Sequence, residues 1–212
     1  MKLHSIFHSI QTEGVFAGTP AVFIRTQGCP ICCPFCDTKE AQGRIDLEAS
    51  LPRLQSFMDE HRNARMVVVT GGEPLWQPDL EKWLQWFRNY GTVQIETSGA
   101  QMAVGCKPFS NFYVMISPKK DSDGNYLTLC DWLVRDNYTF FKILYEGKEK
   151  EGQIYEFMEK WDLSFPYVYI QPLLESDIYS EVSKENIRNA VEFCKTNNFK
   201  LSVQSHKFLG FE

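Results

Sequence analysis

The sequence predicts an α/β protein whose fold is a partial (open) βα TIM-like barrel with about six parallel strands. Short, apolar, β-branched segments alternate with longer segments whose apolar residues recur at helical spacing. Polar or glycine-rich clusters follow the strand segments repeatedly, at the strand ends where open α/β sheets and βα barrels place their sites. The 212 residues are enough for one substantial domain, which we expect to span residues 1–212.

The first predicted elements, over residues 5–69, are a loop, two strands and a helix. Residues 5–14 carry several polar side chains and end in a glycine, so they predict a surface loop. Residues 21–25 are apolar and β-branched, which predicts a buried strand that leads into a cysteine-rich loop. Leucines at helical spacing behind Asp46, a good N-cap, predict a helix over residues 47–60. Residues 65–69 predict a second strand, which runs directly into a Gly-Gly turn.

The rest of the chain repeats this alternation. A helix is predicted over residues 78–90, since apolar and aromatic side chains recur on one face and Gly91 ends it. We expect that aromatic stripe to pack in the core rather than to hold a cofactor. The longest late helix is predicted over residues 181–196. The further predicted strands cover residues 92–97, 112–116, 138–145, 167–170 and 201–204.

Composition narrows the class of protein. The net charge of -5 and the pI near 5.5 argue against a protein that coats nucleic acid, so we expect no nucleic-acid partner and a small-molecule substrate. Seven cysteines, four of them in one loop, are typical of a reducing compartment rather than of a disulfide framework. No segment approaches the roughly 20 apolar residues that a membrane span requires. We therefore expect a cytoplasmic protein without membrane association.

The cysteine-rich loop is the most informative segment. Cys29, Cys33 and Cys36 form a C-x3-C-x2-C triplet, with Cys32 as an extra thiol inside it. Electron-transfer cubane clusters have four cysteine ligands, whereas three thiolates leave one iron of an iron–sulfur cube without a protein ligand. An open coordination site is typical of catalytic metal centres. It could take the amino and carboxylate groups of S-adenosylmethionine.

A zinc site is the alternative interpretation of these thiols. Structural zinc sites usually hold two ligand pairs a dozen or more residues apart, and no second pair occurs in this sequence. The spacing therefore favours the cluster, with Cys32 as a residue that does not bind it. We expect Cys106, Cys130 and Cys194 to be small, buried apolar residues.

Polar residues at the ends of the predicted strands are suited to bind S-adenosylmethionine. The glycines of the Gly71-Gly72-Glu73-Pro74 turn allow close approach of the backbone to the methionine moiety, and Glu73 can face its ammonium group. Polar side chains at later strand ends suit ribose, carboxylate and adenine contacts, although each alone is typical of a solvated loop. These later residues are Glu96, Ser98, Ser117, Lys119 and Gln171.

Three further residues are candidates for contacts to a substrate. Arg25 ends the first predicted strand, where its guanidinium could bind a carboxylate in bidentate fashion or form a salt bridge at the rim. His206 follows the last predicted strand and could bind or orient an anion. Thr38 could help to hold a cation against a bound substrate, with a helix cap as the alternative.

Taken together, these motifs resemble the radical S-adenosylmethionine superfamily, and within it the 7-carboxy-7-deazaguanine synthase family of queuosine biosynthesis. The resemblance covers nearly all of the chain, although Thr12 stands where that family usually has glycine, and Cys32 lies at a variable position. The segments that carry the resemblance are residues 9–14 (SIQTEG), 23–25 (FIR), 29–38 (CPICCPFCDT), 71–74 (GGEP), 96–99 (ETSG), 116–119 (ISPK), 141–142 (FK), 171–172 (QP) and 206–207 (HK).

The resemblance implies an activity, cofactors and roles for individual residues. The family's enzymes convert 6-carboxy-5,6,7,8-tetrahydropterin to 7-carboxy-7-deazaguanine with loss of ammonia. Their cofactors are a 4Fe-4S cluster, S-adenosylmethionine and Mg²⁺, and they receive electrons from an external reductant such as flavodoxin. They often form homodimers. By resemblance, the residues for the cluster are Cys29, Cys33 and Cys36; for Mg²⁺, Thr38; for S-adenosylmethionine, Gly72, Glu73, Ser98, Ser117, Lys119 and Gln171; and for the substrate, Gln11, Glu13, Gly14, Arg25, Gly72 and His206.

Two rival functions remain. The first is a different radical S-adenosylmethionine enzyme, such as a glycyl-radical activase, against which Gln11 and Glu13 argue because an activase needs no pair of residues that reads a pterin. The second is a non-catalytic regulator that binds a cluster or zinc and acts through protein contacts. Such a regulator should tolerate loss of the Glu73 carboxylate, whereas the enzyme should not.

Overall fold

The fold is known from a computed structural model, and some of the sequence predictions fall outside the residues that it describes. These predictions are Cys32 as a residue that does not bind the cluster, Asp46 as a helix cap with the start of its helix, and Cys106 as a buried thiol. The described residues are 1–31, 33–34, 36–43, 51–100 and 110–211.

A single eight-stranded sheet, whose strands follow one another in chain order, organises the described residues. Its second to eighth strands are all parallel, while the first is antiparallel to the second. Because the first and last strands stand at opposite edges, the sheet is open, and the predicted open α/β fold is confirmed with seven parallel strands instead of about six. The strands are β1 (Leu3–Gln11), β2 (Thr19–Thr26), β3 (Met66–Gly71), β4 (Thr92–Thr97), β5 (Tyr113–Ile116), β6 (Thr139–Tyr145), β7 (Val168–Pro172) and β8 (Lys200–Leu201).

The prediction of a surface loop over residues 5–14 is wrong, because most of that segment is β1. Its alternation of apolar and polar residues places Phe7 opposite Phe23, and the two rings stack with centroids 5.0 Å apart. β1 is an edge strand, so its polar side chains can remain partly exposed. After β1 the chain turns inward, and Gln11 and Glu13 are buried.

Helices cover one face of the sheet, as βαβ connections require. The predicted helix over residues 78–90 is shorter in the structure, because residues 88–90 form a 3₁₀ turn that ends at Gly91, whose φ is 141°. The helix from 151 to 161 is not among the sequence predictions. No helix within the described ranges has the length and apolarity that a membrane crossing needs. The helices are α1 (Leu51–Glu60), α2 (Leu80–Phe87), α3 (Asp131–Val134), α4 (Glu151–Trp161), α5 (Glu181–Asn197) and α6 (Ser205–Leu209).

The two faces of the sheet have different chemistry because successive side chains along a strand point to opposite sides. The outer face is apolar and packs against the helices, for example Ile24 and Val69 with Leu84 and Phe87 in one buried cluster. This confirms that the aromatic stripe of α2 packs in the core. The alternate positions on the inner face are largely polar near the carboxyl ends of the strands, and they are Arg25, Thr70, Glu96, Lys142 and Gln171.

Candidate active site

A cavity of about 810 Å³ lies at the carboxyl ends of the parallel strands. Inner-face side chains of the strands form part of its wall, and the loops that follow the strands form the rest. Gly14 is the predicted site residue that does not line the cavity; its N–H donates to Ser202 Oγ at 3.3 Å. The predicted residues that line the cavity are Gln11, Glu13, Arg25, Cys29, Cys33, Cys36, Thr38, Gly72, Glu73, Ser98, Ser117, Lys119, Gln171 and His206.

Three cysteine thiols line one wall of this cavity. Cys29, Cys33 and Cys36 lie on the loop after β2, and the Cys36 N–H donates to the Cys33 carbonyl at 3.3 Å. Burial is the main cause that raises the pKa of Cys29 to about 11, and the charges of Glu73, Cys33 and Cys36 act in the same direction. Three thiolates so close together need a cationic partner, and a bound metal deprotonates a coordinating thiol.

The donor set fits an iron–sulfur cluster. Soft thiolate ligands select iron–sulfur clusters or zinc, and in a cubane cluster each thiolate binds a separate iron. Among the described residues, no group of three His, Cys, Asp or Glu side chains is arranged to hold a single metal ion. The three thiols on one cavity wall are therefore the residues that would hold a cluster.

The Gly-Gly turn after β3 packs directly against the start of the cysteine loop. The Glu73 N–H donates to the Gly28 carbonyl at 2.9 Å, and the Gly28 N–H donates to the Ala41 carbonyl at 2.8 Å. A Cβ at Gly72 would collide with the Gly28 carbonyl and stand 2.8 Å from the Ala41 carbonyl. Both obstacles are backbone atoms, so glycine at position 72 is what allows the two loops to meet.

Replacing Gly72 with alanine should therefore destabilise the protein and misplace the cysteine loop. We expect the Gly72→Ala variant to lose about 1–3 kcal/mol of unfolding free energy from overpacking, measured by urea denaturation. Gly152→Ala is the matched control, because neither glycine has a positive φ and a Cβ at Gly152 meets nothing within 4 Å. The control should stay within about 0.5 kcal/mol of wild type. Equal stability of the two variants would contradict the packing of the two loops.

The Glu73 carboxylate is buried and accepts hydrogen bonds from four protein donors. Oε1 accepts from the Leu75 N–H at 3.0 Å and from the Thr97 hydroxyl, while Oε2 accepts from the Ser98 N–H at 2.9 Å and the Ser98 hydroxyl at 2.6 Å. Because an ionised carboxylate offers about four acceptor sites, these bonds occupy them all. In this arrangement Glu73 holds the ends of β3 and β4 together, and Ser98 faces Glu73.

The segment after β1 crosses the inner face of the sheet and forms the floor of the cavity. Gln11 Nε2 donates to Glu96 Oε1 of β4 at 2.8 Å, and the Gln11 side-chain oxygen accepts from the Glu13 N–H at 3.2 Å. The Glu13 carboxylate forms an ion pair with Lys142 of β6. The buried side chains of Gln11, Glu13 and Lys142 thus each have at least one polar partner in the floor or on the strands beneath it.

Two more contacts join the floor to the end of the chain. The Thr12 hydroxyl and His206 Nδ1 of α6 are 2.8 Å apart, within hydrogen-bond distance. Burial lowers the pKa of His206, although Glu13 acts in the opposite direction. Thr12, which stands where the family that the sequence resembles usually has glycine, therefore has a defined contact here.

Arg25 and Thr38 contact each other on the cavity wall. Arg25 Nη1 donates to Thr38 Oγ1 at 2.8 Å, and its guanidinium lies over the Phe7 ring at 5.5 Å from the centroid. The Thr38 hydroxyl also donates to Asp37 Oδ1 at 3.3 Å. A Mg²⁺ ion does not fit beside Thr38 in this arrangement. The hydroxyl oxygen already accepts from the positively charged guanidinium, which would repel a second cation.

The remaining predicted residues, Ser117, Lys119 and Gln171, lie at the ends of later strands and line the same cavity. Lys119 Nζ donates to Ser117 Oγ at 2.9 Å, and burial together with the nearby Lys142 lowers the pKa of Lys119. Gln171 Oε1 accepts from Ser202 Oγ at 3.0 Å. A half-buried ammonium whose hydrogen bond goes to a neutral hydroxyl is well suited to an anionic group of a ligand.

The sequence reasoning missed two charged residues of the cavity. Lys142 lies in the middle of the strand predicted over residues 138–145, and a lysine flanked by apolar residues of that strand was the available signal. Asp37 directly follows the last cysteine of the triplet and lies on the same wall. Burial acts to raise the pKa of Asp37, but the positive charge of Lys207 and other nearby groups outweigh it and lower that pKa.

Comparison with known proteins places the chain among characterised relatives. No family model matches it. The 7-carboxy-7-deazaguanine synthase of Escherichia coli K12 is 31% identical over 235 residues, covering 98% of this chain and 97% of that enzyme. The synthase of Rickettsia prowazekii is 32% identical over 216 residues, covering 100% of this chain and 89% of the relative.

A solved structure agrees with these relatives. The crystal structure of QueE from Escherichia coli has a TM-score of 0.75 and 30% sequence identity, covering 95% of this chain and 92% of the other. Both the sequence and the fold therefore match over nearly the full length of the two proteins. The chain belongs to the 7-carboxy-7-deazaguanine synthase family.

Proposed function

We propose that this protein is a radical S-adenosylmethionine enzyme that converts 6-carboxy-5,6,7,8-tetrahydropterin to 7-carboxy-7-deazaguanine with loss of ammonia, a reaction of queuosine biosynthesis. One observation carries the proposal: the thiols of Cys29, Cys33 and Cys36 line the same cavity as the buried pair Gln11 and Glu13. Thiols that could hold a cluster and polar side chains that could bind a heterocycle thus line one cavity, in a chain related over its length to synthases of this name.

The three thiols would hold the 4Fe-4S cluster, and S-adenosylmethionine would occupy the adjacent strand ends. When bound, the reduced cluster and S-adenosylmethionine supply the 5′-deoxyadenosyl radical that starts the ring contraction. The residues proposed to bind S-adenosylmethionine are Gly72, Glu73, Ser98, Ser117, Lys119 and Gln171. With its oxygens engaged by protein donors, Glu73 contributes chiefly by shaping this pocket, and a direct bond to the ammonium group requires Thr97 or Ser98 to release it.

The cavity floor and the wall that carries Arg25 would hold the substrate. Gln11 and Glu13 offer acceptors to the guanidine-like edge of the pterin, and Arg25 and His206 offer cationic or N–H donors to its carboxylate. Gly14 helps to form this floor through its backbone. Its φ is 66°, and a Cβ at this position would collide with the Met115 side chain, so the floor requires glycine here. Gly72 permits close approach at the other side.

We propose that Mg²⁺ binds at Thr38 only after Arg25 has released the Thr38 hydroxyl. If the substrate carboxylate attracts the Arg25 guanidinium, the Thr38 hydroxyl oxygen becomes available, with Asp37 beside it. A hydroxyl and a carboxylate are oxygen ligands of the kind that Mg²⁺ prefers. Binding of Mg²⁺ should therefore depend on bound substrate, which metal titration with and without the pterin would measure.

Further proposals concern the setting of the enzyme. The chain is proposed to act as one domain, as a homodimer in the cytoplasm, and to receive electrons from an external reductant such as flavodoxin. The acidic net charge of -5 supports a small-molecule substrate over a nucleic-acid partner.

An anaerobic activity assay tests the proposal. The reconstituted protein is given dithionite, S-adenosylmethionine, Mg²⁺ and carboxytetrahydropterin, and 7-carboxy-7-deazaguanine is sought by mass spectrometry. Its formation is the expected result. Formation of 5′-deoxyadenosine with unchanged pterin would favour another radical S-adenosylmethionine enzyme, such as an activase. Absence of both products from a protein that holds its cluster would favour a non-catalytic regulator.

A further inference from the structure

We propose that Lys142 binds the C4 carbonyl oxygen of the pterin, so that the Glu13–Lys142 ion pair reads the lactam edge of the substrate as one unit. This inference rests on the proposed function. It assigns the specificity for a 4-oxo pterin over a 4-amino pteridine to a residue of β6. The alternative is that Lys142 merely holds Glu13 in place.

Lys142 has the position that this role requires. It lies on the inner face of β6, lines the cavity and is 7% exposed. A lysine is almost never buried to this degree without a paired charge, and here Glu13 supplies that charge from the cavity floor. The pair therefore stands at the meeting point of the floor and the sheet.

The ion pair leaves hydrogen-bonding capacity on both partners. An ammonium group has three N–H donors, and Lys142 gives one of them to Glu13 Oε2. Within the described ranges, no other hydrogen-bond acceptor of Lys142 is found. Within the same ranges the Glu13 carboxylate accepts from Lys142, while Gln204 Nε2 donates to Asp37 Oδ2 at 3.3 Å, so most of the four acceptor sites of Glu13 stay unused. A donor and an acceptor with spare capacity are thus fixed side by side.

The charges of the pair are fixed by their surroundings. Burial acts to lower the pKa of Lys142, but Glu13, Glu96 and Asp37 outweigh it and raise that pKa. Burial likewise acts to raise the pKa of Glu13, but Lys142, Gln204 and His206 outweigh it and lower that pKa. The ammonium therefore remains a donor, and the carboxylate remains an acceptor.

A 4-oxo pterin complements this arrangement. Its N3–H and 2-amino groups donate, as the Glu13 carboxylate requires, and the adjacent C4 oxygen accepts, as the Lys142 ammonium requires. A 2,4-diaminopteridine places an amino group against the ammonium instead. Such a ligand leaves a buried N–H donor of the ammonium facing another donor, a mismatch that a polar site rejects far more strongly than a missing methylene.

Two stable ligands test the inference on the wild-type holoenzyme. The dissociation constants of 6-carboxypterin and of 2,4-diaminopteridine-6-carboxylate are measured anaerobically by fluorescence, with cluster and S-adenosylmethionine present. We expect the 4-oxo ligand to bind about 10- to 100-fold more tightly, as a buried hydrogen bond to a charged group predicts. Equal binding of the two ligands would overturn the inference without any mutation.

The Lys142→Met variant then tests whether Lys142 causes the preference for the 4-oxo ligand. The variant should bind the two ligands within about threefold of each other, and it should raise KM for the substrate more than it lowers kcat. Lys120→Met is the matched control, because it also removes a partly buried lysine from an ion pair, with Glu146. That control should keep the wild-type ratio of the two affinities.

The outcomes separate this inference from the proposed function. If wild type neither binds 6-carboxypterin nor turns over the carboxytetrahydropterin, the proposed function fails and this inference fails with it. If wild type does both but Lys142→Met keeps the full discrimination, only the role of Lys142 is overturned. If Lys142→Met does not fold, equal binding of the two ligands by wild type still overturns the inference.

Discussion

The Cys33→Ala variant is expected to form no stable 4Fe-4S cluster and no detectable 7-carboxy-7-deazaguanine. Cys33 is the middle ligand of the triplet, and its loss leaves two protein thiolates for a cluster that already has one iron without a cysteine. The anaerobic product assay gives the activity. Iron content and the visible absorption of the reconstituted protein report the cluster directly, without relying on turnover.

Cys194→Ala is the control for this variant. Cys194 is buried on α5 against the outer face of the sheet, away from the cavity wall, and its thiol donates weakly to the Lys200 carbonyl at 3.9 Å. The control should keep full iron content. A Cys33→Ala protein that retained wild-type iron and activity would exclude the cluster assignment and would bring Cys32 forward as a ligand.

The Glu73→Gln variant should lose about 1–3 kcal/mol of unfolding free energy, despite its similar shape. Each carboxylate oxygen accepts from one backbone N–H and one hydroxyl, so either orientation of the amide turns its NH₂ group toward a backbone N–H that cannot accept, while the hydroxyl must turn to accept instead of donating. Buried groups left unsatisfied cost about 1–3 kcal/mol each, and hydrogen bonds to a charged acceptor are the stronger kind. Urea denaturation measures the stability, and equilibrium dialysis measures the expected weakening of S-adenosylmethionine binding.

An exposed carboxylate supplies the control for Glu73. Glu175 accepts a hydrogen bond from Ser180 Oγ at 2.7 Å at the surface, so Glu175→Gln should change stability by no more than about 0.5 kcal/mol. Should Glu73→Gln be as stable as this control, the four-donor network would not hold the strand ends together. Unaltered S-adenosylmethionine cleavage in Glu73→Gln would contradict a role of the Glu73 carboxylate in S-adenosylmethionine binding, whereas a non-catalytic regulator would cleave none even as wild type.

The local parts of this structure could be predicted because their chemistry is contained in short segments. The triplet of Cys29, Cys33 and Cys36 and the Gly-Gly-Glu turn carry their spacing with them, and each follows a recognisable strand. Helix α4 could also have been found. Its buried Ile154, Phe157 and Met158 have the i, i+3, i+4 spacing of an amphipathic helix.

The cavity floor could not be predicted in the same way. Polar residues at positions 11–13 look like a solvated loop, because nothing within several residues of them can satisfy a buried carboxylate. Their partners are distant in sequence: Glu96 lies 85 residues after Gln11, and Lys142 lies 129 residues after Glu13. Burial of this segment is a property of the assembled sheet, and residue types near the segment do not encode it.

The contacts of the floor with the end of the chain also set an order for biosynthesis. Gly14 and Thr12 find their partners 188 and 194 residues later, in Ser202 and His206. At the usual rate of about 5–20 residues per second, roughly 10–40 s of translation separate one side of these contacts from the other. During that interval the nascent chain carries its cysteine loop without a finished floor. Because α6 supplies one of these contacts, the cavity is complete only after α6 has been synthesised, so cluster insertion into a complete site must follow synthesis of residue 206.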